Sequence, residues 1–136
     1  MLLSKEDMFS EAQAITGTEN AVTYSTNVLD WGAHGNDIDK ELRLFILNTQ
    51  AAVGAGASLT IAFETSADNT TFTTLKSYTA IAVGGLTVDT FLVKNDVLPD
   101  GLKRYNRLSF TVTGAALSTV PKLTAGLIRN DGHVTR

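Results

Sequence analysis

The chain has 136 residues, enough for one domain whose core needs no crosslinks. It has no cysteine, which excludes a disulfide framework, a thiolate metal site and cysteine catalysis. Its formal charge of -3, from 14 acidic and 11 basic residues, comes without the clustered basic footprint of a nucleic-acid-binding protein.

Charged residues make up 18% of the chain, against about 25% in an ordinary soluble protein. Threonine, alanine and glycine are abundant instead, as on a β-surface that meets other protein. The apolar runs are short and cut by Gly or Thr, far from the roughly 18 residues of a membrane helix. The opening MLLSKEDMF carries acidic residues early and has no extended apolar core, so it does not read as a secretory signal.

Residues 1–20 read as an N-terminal arm. Ser4 with Asp7 three residues on is a cap for one helical turn through Phe9, and Gly17 ends any run. A packed N-terminal strand fits the same residues. The domain proper is expected over 21–130. Val22, Tyr24, Val28 and Leu29 suit a strand with a local irregularity, closing at Asp30-Trp31-Gly32 before the loop AHGNDIDKE. In LRLFILNTQ, Leu42, Leu44 and Ile46 alternate with Arg43, Phe45 and Leu47. Both faces are partly apolar, as in a strand covered on both sides or lying at an interface.

AAVGAGA is a loop or a bulged strand start. Leu59, Ile61 and Phe63 alternate with Thr60, Ala62 and Glu64 in a half-buried strand, and SADNTT makes the turn after it. Phe72 and Leu75 resume the apolar pattern in a strand expected to reach Tyr78. Gly84-Gly85 marks the next turn, LTVDTFLV the next strand, and Asn95 to Gly101 a loop. The segment from Arg104 to Thr113 is the clearest strand, with Tyr105, Arg107, Ser109 and Thr111 against Asn106, Leu108, Phe110 and Val112. Lys122 to Ile128 is the last strand, and 131–136 is a polar tail. About seven or eight short strands separated by turn residues make an antiparallel sandwich or barrel. Periodicity leaves immunoglobulin-like and jelly-roll topologies both open.

No chemistry emerges from the side chains. His34, near Asp37 and Asp39, lacks ligand spacing for zinc, and the alternating Asp37, Asp39 and Glu41 lack an EF-hand's glycine and glutamate. His133 sits in the tail. Glu64 and Asp89 read as ordinary face residues rather than a glycosidase pair. The serines have no elbow motif or histidine partner, and AVGAGA lacks phosphate-loop spacing. Asn69-Thr70-Thr71 matches a glycosylation acceptor by chance in a Thr-rich chain. The expectation is a non-enzyme without cofactor or metal. The aromatics Tyr24, Phe45, Phe72, Tyr78, Phe91, Tyr105 and Phe110 read mostly as core, and Trp31 as either an exposed anchor or a core lid.

Five segments in this order carry a resemblance: DMFSEAQAIT at 7–16, STNVLDWGAHGNDI at 25–38, LTIAFETSADNTTFTTL at 59–75, LPDGLKRYNRLSFTVTG at 98–114 and KLTAGLI at 122–128. Over residues 5–129 the chain resembles the small capsid cement (decoration) proteins of tailed bacteriophages, of the Bbp16 type. The resemblance implies an all-β, antiparallel jelly-roll β-sandwich on the outer surface of the virion capsid, made in the host bacterial cytoplasm. Its implied partner is the phage major capsid protein, with self-association, a dimer before a trimer, and with no nucleic acid and no membrane. Phe9, Ala12 and Ile15 match its N-terminal segment. Asn27, Asp30 and Gly32 match its strand-to-loop signature, where Trp31 is large for a small-residue turn. Pro99, Gly101, Arg104, Tyr105 and Leu108 match its later turn and strand.

Met8, Phe9, Ile15 and Trp31 are the candidate oligomer or capsid contacts. The first three are apolar residues in a segment with no evident strand partner. On that reading, deleting residues 1–17 weakens shell binding and leaves the sandwich folded. The alternative role is a non-catalytic saccharide- or receptor-binding module of a phage tail or fibre.

Overall fold

A computed structural model describes residues 8–30 and 42–129. The expectations for Ser4, Trp31, Gly32, His34, Asp37, Asp39, Glu41, His133 and the tail lie outside the described residues. The described residues form nine strands: β1 (Met8–Ala14), β2 (Val22–Tyr24), β3 (Leu29–Asp30), β4 (Leu42–Asn48), β5 (Ser58–Ser66), β6 (Thr73–Ala82), β7 (Thr90–Val97), β8 (Tyr105–Thr113) and β9 (Lys122–Arg129). The described residues include no α-helix, only a single 3-10 turn at Val83–Gly85.

The strands form two antiparallel sheets. One has the order β1-β9-β4-β7, the other β2-β8-β5-β6 with β3 also on β8. Part of the pairing is nested. β5 pairs β6, β4 pairs β7, β2 and β3 pair β8, and β1 pairs β9. Two further pairings, β4 with β9 and β5 with β8, complete each sheet.

Alternation in the strands decides which side chains meet between the sheets. From the second sheet come Leu59, Ile61 and Phe63 of β5 and Leu108, Phe110 and Val112 of β8, all fully buried. From the first come Leu44 and Ile46 of β4 and Leu123, Ala125 and Leu127 of β9. Phe9 of β1 meets Phe63 edge to face, with ring centroids 5.8 Å apart and planes at 81°. This is the favoured geometry for two aromatic quadrupoles.

Of the two readings of the N-terminal segment, an arm with one helical turn or a packed strand, residues 8–14 show the strand. Residues 8–14 are an edge strand with a partner, pairing β9 from Met8↔Gly126 to Ala14↔Lys122, and Phe9 is extended rather than helical. Two register breaks in β1 let it bend along the sheet. Within the second break Ala12 has φ 44, and its N–H donates to Thr124 Oγ1 instead of a ladder carbonyl. Side chains then tie β1 to β2. Gln13 Nε2 donates to the Tyr24 carbonyl at 2.8 Å, and Asn27 Nδ2 and N–H donate to the carbonyls of Met8 and Phe9. The irregularity expected in 21–31 is the gap between β2 and β3. There Ser25 exchanges backbone and side-chain hydrogen bonds with Leu108.

β6 continues past Tyr78 to Ala82. β7 starts later than its sequence pattern implies and absorbs part of the expected 95–101 loop. Ile46 faces Val93 whereas Leu47 faces Phe91, so Leu92 is an extra residue on β7. That bulge reverses the parity: Phe91 turns outward at 42% exposed, while Val93 is buried. A strict period of two could not report it.

On the side opposite β1 and β2, a polar clip joins β6 to β7. Asp96 Oδ2 accepts from Lys76 Nζ at 2.6 Å and from Tyr78 Oη at 2.9 Å. Burial pushes the Asp96 carboxyl up, but the hydrogen bonds from Lys76 and Tyr78 and the lysine charge outweigh it, leaving it below the usual range. Burial, then the bond to Asp96 and its charge, push the Tyr78 hydroxyl above its ordinary value.

Two predictions follow from this packing. Phe9→Ala leaves a cavity against Phe63 and lowers unfolding free energy by about 3–5 kcal/mol in urea titrations. Deleting residues 1–17 removes β1 with it, and the truncated chain is expected to lose its cooperative transition. The clip sets the pH limits. Asp96, depressed in the fold, contributes stability above the ordinary carboxylate range that is lost as pH falls through it. Tyr78, raised in the fold, contributes stability below the ordinary tyrosine value that is lost as pH rises past it. Urea midpoints measured against pH are expected to show a shallower acid limb for Asp96→Asn and a shallower alkaline limb for Tyr78→Phe.

Candidate interaction surface

The sandwich presents two outer faces, and their composition follows from the same alternation that built the core. On the first sheet, register aligns Met8, Gly126 and Phe45 in one row, and Thr124, Leu47 and Phe91 in another. Ile128, Arg43 and Val97 form a third. Met8 and Phe45 are buried although outside the inter-sheet core. Leu47 and Ile128 are half-buried, and Phe91 and Val97 are exposed. The two apolar faces expected of β4 are therefore both present.

On the second sheet the outer rows are mostly threonine, serine and alanine. Thr60, Thr111 and Val22 lie across β5, β8 and β2, and Ala62, Ser109 and Tyr24 form the next row. One row further, Glu64 faces Arg107. Arg107 Nε donates to Glu64 Oε1 at 2.7 Å, and the two side chains are 21% and 15% exposed. The guanidinium carbon lies 3.8 Å from the ring centroid of Tyr24 and 3.8 Å from that of Phe72. Cation–π attraction thus acts on Arg107 from two rings. Beyond this row, Asp30 accepts from Arg104 Nε at 2.8 Å and Nη2 at 3.1 Å, and Arg104 lies 4.9 Å from the Tyr105 ring.

The turn SADNTT is what positions Phe72. Asp68 Oδ1 accepts from Ser66 Oγ at 2.8 Å and from the N–H groups of Thr70 and Thr71 at 2.9 and 3.0 Å. Ser66 Oγ accepts in turn from the N–H groups of Asp68 and Asn69. Asn69 takes φ 61, a left-handed conformation that asparagine tolerates. The backbone N–H groups of Thr71 and Thr70, then the Ser66 hydroxyl, hold the Asp68 carboxyl down to about 2. The knot stays ionised and closed at any ordinary pH, and Phe72 leaves it directly onto Arg107.

Phe9 and Ile15 belong to the inter-sheet core and Met8 is buried on the first sheet, so these three candidate contacts pack within the chain. The fourth, Trp31, is outside the described residues. Tyr24, Phe72 and Phe91 are not core residues as expected; they lie on the outer faces. Glu64 lies inside β5 on the second sheet, and Asp89 is in the turn before β7. Asn27 and Asp30, matched to the strand-to-loop signature, hold β1 and Arg104 respectively. The described residues include no group of three His, Asp or Glu side chains able to hold a metal, and no helix long and apolar enough to cross a membrane.

Fold and surface define an all-β protein of two antiparallel sheets that exposes aromatic and arginine side chains on a charge-poor face. More particularly, a family model described as Bbp16 matches residues 9–128, and the chain belongs to that family. No curated protein matches it.

The stack on Arg107 makes its members energetically dependent on one another. A double-mutant cycle pairing Phe72→Ala with Arg107→Gln is expected to give a coupling of about 0.5–1 kcal/mol in urea unfolding. Additive effects would mean that the ring and guanidinium merely adjoin.

Proposed function

We propose that this chain is a structural protein of a tailed-phage virion, bound to the outer face of the major capsid shell and bridging neighbouring capsomers. Membership of the Bbp16 family is the observation that carries the reading, since the resemblance of the five quoted segments is to cement proteins of that type. The strand order supports a jelly roll. With β2 and β3 counted as one broken strand, eight strands pair first with last, second with seventh, third with sixth and fourth with fifth. We take this order as support for the wrapping of a double-sheet jelly roll. The outer face of the second sheet carries Tyr24, Phe72, Tyr105, Arg104 and Arg107, and aromatic residues and arginine are the types enriched at protein interfaces.

The mechanism is avidity. Each contact is modest, but an oligomer, a dimer before a trimer, touches several shell subunits at once, and its effective affinity multiplies. An oligomer that binds only the expanded shell also stabilises that state by mass action. A saccharide- or receptor-binding module of a tail or fibre is the second reading, favoured by Tyr24 at 47% exposed. Against it, Tyr24 and Phe72 both interact with Arg107.

The test is co-sedimentation of the purified protein with expanded shells that lack it, followed by electron cryomicroscopy of the pellet. Saturable density on the outer shell surface is the expected result. Absence of binding across salt and pH, with signal on a glycan array, would move the assignment to the tail or fibre.

A further inference from the structure

We infer that the open edge of Arg107, on the outer face of the second sheet, is a docking point for a carboxylate side chain of the protein partner. The inference rests on the shell-binding reading and says which face makes the contact and with what chemistry. A guanidinium has five N–H donors in one plane and a π face on either side. Here Tyr24 and Phe72 each lie 3.8 Å from the guanidinium carbon. Glu64 takes Nε through a single oxygen. Among the described residues, the Nη groups donate to no protein acceptor, although the side chain is only 21% exposed.

What remains open is the pair of N–H groups directed along the end of the plane. Two parallel donors match the two oxygens of a carboxylate, and such charge-assisted forks are among the stronger hydrogen bonds. The guanidinium is also ordered before the partner arrives. Two rings, one carboxylate and the Asp68 knot behind Phe72 restrict its rotamers, so less side-chain entropy is lost on docking. The row on one side carries Ala62, Ser109 and Tyr24; the row on the other carries Ser66, Tyr105 and Asp30, whose carboxylate is already paired with Arg104. Tyr24 and Val22, both nearly half exposed, add apolar area beside the charge. An arginine and a tyrosine together are the residue types that dominate interface energetics.

The experiment is saturation binding of wild type, Arg107→Lys, Phe72→Leu and Val97→Asp to expanded shells lacking the protein, with urea unfolding of each as the fold control. Arg107→Lys keeps the charge and removes the planar fork; it is expected to weaken binding about tenfold or more. Phe72→Leu leaves Arg107 in place with one ring fewer, and is expected to weaken binding by a smaller factor. Val97→Asp alters the opposite face and is expected to leave binding unchanged. A carbodiimide added to shells carrying Arg107→Lys is expected to join the introduced amine to an Asp or Glu of the shell protein. Wild-type affinity for Arg107→Lys and Phe72→Leu, or a cross-link to Glu64 alone, would overturn the inference while leaving shell binding intact. If Arg107→Lys fails to unfold cooperatively, Phe72→Leu against Val97→Asp decides: a loss confined to Val97→Asp places the contact on the first sheet and overturns it. Failure of wild type itself to bind would instead overturn the shell-binding reading, and this one with it.

Discussion

The pairing of β1 with β9 is the constraint on which the two-sheet arrangement depends, because it sets Phe9 against Phe63 of the opposite sheet. Without β1, β9 would be an edge and the core would lie open beside Leu123, Ala125 and Leu127. The strand is held by more than its ladder. Asn27 takes the carbonyls of Met8 and Phe9, and Gln13 reaches the carbonyl of Tyr24. These bonds matter because the ladder is broken twice, and a strained alanine sits inside the second break. Polar side chains thus do locally what regular β-pairing does elsewhere.

A sandwich has two open sides as well as two faces, and this chain closes its sides differently. Between β1 and β2 the links are neutral, from amides and hydroxyls to backbone. Between β6 and β7 the link is ionic, with one carboxylate shared by an ammonium and a phenol. The ionic side depends on protonation and the neutral side does not. Acid or alkali therefore weakens the β6–β7 link, while the amide and hydroxyl links between β1 and β2 do not titrate.

β5, β8 and β9 were legible in the sequence because each alternates without a break, and one face of each is buried against the other sheet. β1 was legible only as one of two readings, arm or packed strand, since its apolar residues Met8 and Phe9 do not alternate and its register slips twice. β7 was misplaced by several residues because its register against β4 slips twice, and the slip at Leu92 exchanges inside for outside. The arginine stack was illegible for a different reason. Tyr24, Glu64, Phe72 and Arg107 are spread over most of the chain and meet only through the order of β2, β8 and β5. Each alone reads as an unremarkable strand or turn residue. The turn that presents Phe72 was the exception, since Ser66, Asp68 and Asn69 announce their own hydrogen bonds locally.

The nested pairing also bears on when the molecule can form. The hydrogen bond from Ala12 to Thr124 spans 112 residues, and the β4–β9 and β2–β8 pairings, such as Asn48↔Leu123 and Val22↔Thr111, also join segments far apart in sequence. Loop closure on that scale precedes any reward from burial, which places such topologies among the slower folders, on the order of milliseconds to seconds. On the ribosome, β1 waits for β9, which is synthesised last among the described strands. Until then Phe9 and the apolar row of β4 lack their partners. A nascent chain stalled before Lys122 thus exposes the surface from which aggregation starts. Pairing with β9 covers it.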